Sequence, residues 1–548
     1  FSFASYAYRQ VYVQFCQTMG LPQRVLEENE SLFRNMLGLV RGRIYYNLVN
    51  LYRLVLMLPG ASSNKKFMET MMGVKQELGP EQESAFEVLG NPPRQSWWRT
   101  LLLWVKTLHR FLRIRAITEE FLKHFESTYT EVQSTDPRTI SVTEQLDLFN
   151  LLERKILRRW KVPIINDYIC MVFFGLFKKL TAQWVADGEK GSTLQNDLLC
   201  GEGNMESAEP TKMLMRIAEY IDTGDRELRD WFVQSNPAEV WRELAQKKSS
   251  PLAELFHQFL QSYGFRCINE LKLEEPDLHD DPIFVIDAVA SYIRRRSYSV
   301  KAMERRELEI RIKAEEDLAY TLHGFKIVVY RWVLSHTRQA IRRREQLRFA
   351  RTKIFGVARH LFRAIGENFA RLGLLKKEGD IFYLTLEEII GCIEGRSVSI
   401  DPAGVAELRK EEYERLRKSP APPDRFVVQG TVSASVKYPL LLFDGGCLQS
   451  SWADGTDEDV LKGIPCCPGI VEGTVRVVRD RCDAENLNGE ILVAERTDPG
   501  WVPLFPSCSG LLIERGSPLS HSAVVARELG LPTIVAISGG LMNRLQTG

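Results

Sequence analysis

The chain has 548 residues, 44% of them apolar and 26% charged, with 72 Lys and Arg set against 71 Asp and Glu. That length exceeds one ordinary core, and a formal charge of +1 excludes a general nucleic-acid binder or a polybasic membrane protein. Ten cysteines without a Cys-x-x-Cys pair give neither a disulfide framework nor a zinc site, so reduced thiols in a cytoplasmic protein are expected.

From Phe1 to about Lys418 the pattern is mostly helical. Trp97–Leu112 and Ala314–Phe349 carry apolar residues at three- and four-residue spacing beside charged faces. Pro92-Pro93, Asp136-Pro137 and a polar loop from Asp187 to Pro210 punctuate these helices. The longest apolar run, Tyr168–Phe177, stops at Lys178-Lys179, too short for a membrane span and suited to a buried helix. The mixed charges from Arg294 to Lys313 predict a solvated helix face. The aromatic group Tyr45, Tyr46 and Tyr52 is expected in a core. Nothing at the start reads as a signal peptide. A chain opening at Phe1 and stopping at Gly548 in mid-pattern is expected to be a piece of a longer protein.

The style changes at Ser419-Pro-Ala-Pro-Pro423, which reads as a linker and a hinge. Strands are predicted at Phe426–Val436, Pro439–Phe443, Gly473–Val478, Glu490–Ala494, Gly510–Glu514 and Thr533–Ile537, with a helix over Ser522–Leu529. The fold class is therefore multidomain: a large mostly α-helical body over 1–418, a linker with lead-in strands over 419–462, and a small α/β domain over 463–548.

Chemistry concentrates in Gly510–Pro532. A strand runs into Gly516, Ser517 and Pro518, Ser520 is placed as an N-cap, and His521 opens the helix that Gly530 and Pro532 close. Free N–H groups and the positive dipole end favour a neutral imidazole there, competent as a nucleophile. Ser517, Ser520 and Ser522 can then hold a phosphate, and Gly516 leaves room for it. This reading requires the ring to be reachable by a phosphoryl donor. On a body helix, Arg344 and Arg348 stand at i,i+4 and can grip a phosphoryl group, with Glu345 a candidate base for a hydroxyl. The eight histidines show no metal spacing, and His279 beside Asp280 and Asp281 stands alone, so no metal is expected. Adjacent Cys466 and Cys467 should point to opposite faces of a strand.

The segment from Gly516 through Ser520-His521 to Arg527 and Pro532 resembles the phosphohistidine motif of the mobile domain in PEP-utilising enzymes. That group includes phosphoenolpyruvate synthase, pyruvate phosphate dikinase and rifampin phosphotransferase. Gly463–Gly473 and Thr497–Trp501 are similar to other segments of that domain, in the same order. The domain order looks most like rifampin phosphotransferase without its N-terminal ATP-grasp domain. Tyr263–Asp281 is similar to a helical-domain segment, with Phe265 where the family has His. It implies that Arg266 and Glu270 face substrate. The resemblance implies a dikinase-type enzyme: ATP and Mg bound by an ATP-grasp domain outside this chain, the β-phosphoryl carried by His521, and a small-molecule hydroxyl acceptor in the body. Two alternatives stand beside it: a phosphoenolpyruvate synthase acting on pyruvate with a barrel beyond Gly548, and a non-catalytic regulatory module. Arg527, on another helix face from His521, is open to a structural or a phosphate role.

Overall fold

The computed structural model describes residues 1–56, 97–185, 188–200, 206–247, 249–419, 460–479, 481–518, 520–537 and 540–548. The expected features at Pro92-Pro93, at the proline-rich linker beyond Ser419 and at the strands 426–436 and 439–443 lie outside them.

The body starts with helix α1 (Ser2–Thr18) and a hairpin of β1 (Leu37–Val40) and β2 (Arg43–Tyr46), Leu37 pairing with Tyr46. Arg41 and Gly42 turn the hairpin at positive φ. The apolar run sits in α2 (Lys161–Trp184), where Ile169, Phe173, Phe174 and Phe177 are buried. Each such side chain contributes about 1.5–3 kcal/mol when removed from water. Among the described residues one helical stretch, Val142–Trp184, could by length and composition cross a membrane, but 67% of its apolar window is buried inside the protein.

The polar stretch after Asp187 is not a loop throughout. It contains α3 (Gly188–Leu198), because Leu194 and Leu198, one turn apart, dock on the cluster around Phe177 and Tyr330. Next come α4 (Glu209–Thr223), α5 (Ile283–Arg295) and α6 (Val300–Thr321). Most of α6 is solvated as its charges predict, yet Glu307 is buried. The predicted continuous helix from Ala314 is broken: Gly324 adopts φ +63° and starts α7 (Phe325–Arg371), 47 residues long. At 1.5 Å per residue α7 spans roughly 70 Å and is the spine of the body. Its N-terminal half packs on α2, and its C-terminal half forms a second core with Phe149, Ile381 and Ile389.

The small C-terminal unit is a five-stranded sheet of β3 (Ile464–Cys467), β4 (Val475–Val478), β5 (Ile491–Ala494), β6 (Gly510–Ile513) and β7 (Thr533–Val535), in the order β3-β7-β6-β5-β4. Only β3 runs antiparallel to its neighbour. Unbroken apolar runs such as Leu492-Val-Ala494 fit parallel strands covered on both faces. Helix α8 (His521–Glu528) joins β6 to β7. Cys466 and Cys467 are both buried, contrary to simple alternation, because the register shifts between Pro465 and Cys467 and turns one inward. Cys16, Cys170, Cys200, Cys267, Cys392, Cys466, Cys467 and Cys508 are free thiols.

Candidate functional site

Strand β6 delivers the chain to the loop before α8. The Ser520 hydroxyl accepts the Ala523 N–H at 3.4 Å and caps the helix, so His521 takes the first helical position. Gly530 at φ +62° ends it, with the Leu531 N–H donating to the Ala526 carbonyl at 2.9 Å. The unit docks so that His521 faces α7. Its Nδ1–H donates to Glu345 Oε2 at 2.7 Å, and its Nε2 is buried without a hydrogen-bond partner. The ring is 4% exposed, so in this arrangement it is not open to a donor, whereas the sequence reading required it to be reachable. It is neutral, as expected, but chiefly because burial, assisted by Arg348 and Arg266, pulls it down to about 4 against Glu345.

Glu345 points at the imidazole rather than into open space. Burial works to raise its pKa, and Arg348 and His521 overrule that, holding it well below the usual carboxylate range. Arg348 Nη1 stands 3.6 Å from Glu345 Oε1, and burial lowers it to about 10, which leaves it cationic at neutral pH. Arg344 Nε lies 3.3 Å from Asp167 Oδ1, an acid on α2 that sequence reading missed. One α7 face thus holds Arg344, Glu345 and Arg348 with His521 above them.

The small residues of the loop are differently employed. Ser517 gives its carbonyl to the Ser520 N–H, and Ser522 accepts from the Thr497 hydroxyl. A Cβ on Gly516 would meet only ordinary contacts, from Val535 and Ser520. None of the three serines hydrogen-bonds the His521 ring. Arg527 is buried and donates to Asn196 Oδ1 at 2.9 Å and to the Pro518 carbonyl at 3.1 Å, a structural role. Asn196, on α3, also donates to the Pro465 carbonyl at 2.7 Å.

Arg266 donates to the Pro499 carbonyl at 3.1 Å and lies 5.0 Å from the Phe349 ring centroid, so it holds the small unit as well as influencing His521. Phe265 packs against Gly356 of α7, where a Cβ would stand 2.6 Å from its own. Glu270 accepts from Thr352 at 2.9 Å and is raised by burial; Asp498 accepts N–H groups of Asn269 at 2.6 Å and Gly500 at 2.9 Å. Burial and Glu270 push Asp498 up to about 8. A second acid pair spans the same interface: burial and Glu528 of α8 push Glu307 up to about 9. Neither pair could be read from spacing.

Folding also brings His360 beside Asp277 and His279, a grouping with ligand atoms close enough for a metal ion. Its atoms already serve one another. The Asp277 carboxylate accepts from His360 at 2.6 Å and from the His279 and Asp280 N–H groups at 3.0 and 3.2 Å, beside Arg359 at 3.8 Å. Of the tyrosines, Tyr52 is core, whereas Tyr46 is 44% exposed.

Comparison with known proteins follows the same division. Residues 165–345 match the rifampicin phosphotransferase fourth domain, and residues 487–547 match the PEP-utilising enzyme mobile domain. In these two regions the chain resembles PEP-utilising enzymes and rifampicin phosphotransferases. It is similar to rifampicin phosphotransferases of Streptomyces sviceus (27% identity, 65% of this chain, 39% of the relative) and Bacillus cereus (27%, 77% and 47%). A prodigiosin synthesizing transferase of Serratia marcescens shares 24% identity over 63% of this chain and 38% of its own length. The chain spans less than half the length of these curated relatives. The two matched regions meet at the site, Glu345 closing the first and His521 lying in the second.

Proposed function

We propose that the chain is the carrier and acceptor portion of a histidine-dependent phosphotransferase. His521 receives a phosphoryl group, in the family scheme the β-phosphoryl of ATP held with Mg by an ATP-grasp domain of the same polypeptide. It delivers that group to a hydroxyl of a small molecule bound beside α7. The observation that carries this reading is the imidazole itself: Nδ1–H bound to Glu345 at 2.7 Å and Nε2 without a partner.

The chemistry follows from that geometry. With the proton held on Nδ1, the lone pair is on Nε2, where the N–P bond forms. Phosphorylated on Nε2, the ring is cationic, and the anionic Glu345 is already in place to stabilise it. In the second transfer the acceptor oxygen bonds to phosphorus, and the N–P electron pair returns to Nε2. The hydroxyl proton passes to Asp167, half exposed beside Arg344. Arg344 and Arg348 neutralise the phosphoryl oxygens. Glu345 thereby acts as the partner of the imidazole and not as the base. Because the ring is covered in the docked arrangement, loading requires the small unit to leave α7.

The test uses the full-length protein with ATP labelled at the β-phosphate, and rifampicin, named for the relatives, as a first acceptor. Acid-labile, base-stable label on the wild type and none on His521→Ala is the expected result. Label persisting on His521→Ala removes the mechanism, and a wild type that never labels favours the non-catalytic module.

A further inference from the structure

The loop from Gly264 to Pro282 carries part of the body's docking contact, with Arg266 bound to Pro499 and Asn269 to Asp498. Two backbone bonds close its base: Leu278 N–H donates to the Arg266 carbonyl at 3.0 Å, and His279 N–H to the Gly264 carbonyl at 3.2 Å. Asp277 and His279 stand at that base. His360 of α7 meets them there, 83 residues along the chain from Asp277. One ligand atom of each lies within 4.8 Å of the other two. The proposed phosphotransfer uses none of the three.

The carboxylate is a fixed point and the imidazoles are movable. The Asp277 side chain is fully covered, and its Oδ1 accepts the His279 and Asp280 N–H groups at 3.0 and 3.2 Å. Its Oδ2 faces His360 Nε2 at 2.6 Å. The His360 side chain is 40% exposed and His279 is exposed, and the two rings meet edge to face with centroids 5.7 Å apart. His279 lies over Gly264, where a Cβ would stand 2.2 Å from its Nδ1, so a side chain at 264 would evict the ring. Arg359 Nη1, 3.8 Å from Asp277 Oδ2, opposes a cation. Its guanidinium is engaged by the Phe265, Glu270 and Lys272 carbonyls, however, and Glu274, Glu275, Asp277, Asp280 and Asp281 of the loop outnumber it.

We propose that Asp277, His279 and His360 bind a zinc ion that staples the base of the docking loop to α7. Two imidazoles and a carboxylate, with water as the fourth ligand, are donors that zinc takes. Tetrahedral bonds of about 2.0–2.2 Å place ligand atoms roughly 3.4 Å apart, so the Asp277–His360 pair opens by about 0.8 Å and His279 closes in. As the ion enters, the proton on His360 Nε2 passes through solvent to Nδ1, giving the other neutral tautomer. The freed Nε2 lone pair then bonds zinc, and Oδ2 exchanges a proton donor for the metal. Spacing gave no sign of this site, because its ligands come from a loop and from a distant helix.

The test is zinc binding by the full-length protein, stripped with a chelator and titrated against a colorimetric zinc indicator. The wild type should hold one equivalent that His279→Gln and His360→Gln each weaken by about a hundredfold or more, beyond the effect of losing an outer-sphere partner. Zinc should raise the melting temperature of the wild type and not that of the variants, whose circular dichroism shows that they fold. Cobalt in its place should give the visible bands of a tetrahedral nitrogen and oxygen site, without the sulfur-to-metal absorption of cysteine ligands. Equal zinc in the wild type and both variants overturns the proposal, as does sulfur absorption from the equivalent that the variants lose. A His360→Gln that lowers the melting temperature without losing zinc also overturns it, leaving the Asp277–His360 bond a purely structural one. No phosphoryl donor is present, so the result stands whether or not His521 is ever labelled.

Discussion

Gly500 of the small unit lies against the backbone of the body so closely that a Cβ on it would stand 1.9 Å from the Cys267 carbonyl oxygen. No side chain can yield there, because the obstacle is main chain. The same contact brings Asp498 to Asn269 and Pro499 to Arg266. Gly500→Ala should therefore push the two parts off register, at a cost of about 1–3 kcal/mol or more. Limited proteolysis and small-angle scattering should report a looser particle. An unchanged scattering profile with the wild-type melting temperature refutes this.

Glu345→Gln keeps the size of the side chain and removes its charge. The amide oxygen still accepts from Nδ1–H, so the ring stays oriented, but the cationic phosphoimidazole loses its counter-charge. The rate of labelling of His521 in the full-length protein should fall by about 10²-fold, with little change in affinity for the nucleotide. Equal effects on both would assign Glu345 to binding alone.

The acid pairs across the interface make docking sensitive to pH. Glu307, facing Glu528, Lys212 and Glu304, sits at about 9, and Asp498, facing Glu270 and the N–H groups of Asn269 and Gly500, at about 8. Both exceed the ordinary carboxylate value, so the docked form binds more protons. Its stability is full below about pH 4 and is lost as pH rises toward 8 and 9. Proteolysis rates should climb over that window, and Glu307→Gln should remove part of the rise. A flat profile from pH 5 to 9 rejects the linkage.

Arg527→Ala should destabilise the small unit by about 3 kcal/mol, since Asn196 and the Pro518 carbonyl both lose a buried donor. Histidine labelling by the folded fraction should persist. Loss of labelling without loss of stability would give Arg527 a role at the phosphate.

The histidine helix is legible because its signals are local: Ser520 caps it, Gly530 and Pro532 stop it, and neither depends on distant partners. The partners of the histidine are another matter. Glu345 lies 176 residues away and meets His521 only through docking, so spacing could nominate its helix but not its direction. Asp167 is equally invisible, being an ordinary charge on a helix until the fold sets it beside Arg344. Composition also misled where burial was decided by tertiary contact. Glu307 belongs to a run that looks solvated, and α3 to one that looks like a loop.

The antiparallel pairing of β3 with β7 has a mechanical consequence. The chain enters the sheet at Gly463 along its edge, and the strand next to that edge is the one into which α8 runs. Tension applied at this entry point loads Ile464 and Val535 first, then the turn that ends the histidine helix. A pull there therefore reaches the strand that α8 feeds before it reaches β6, β5 and β4.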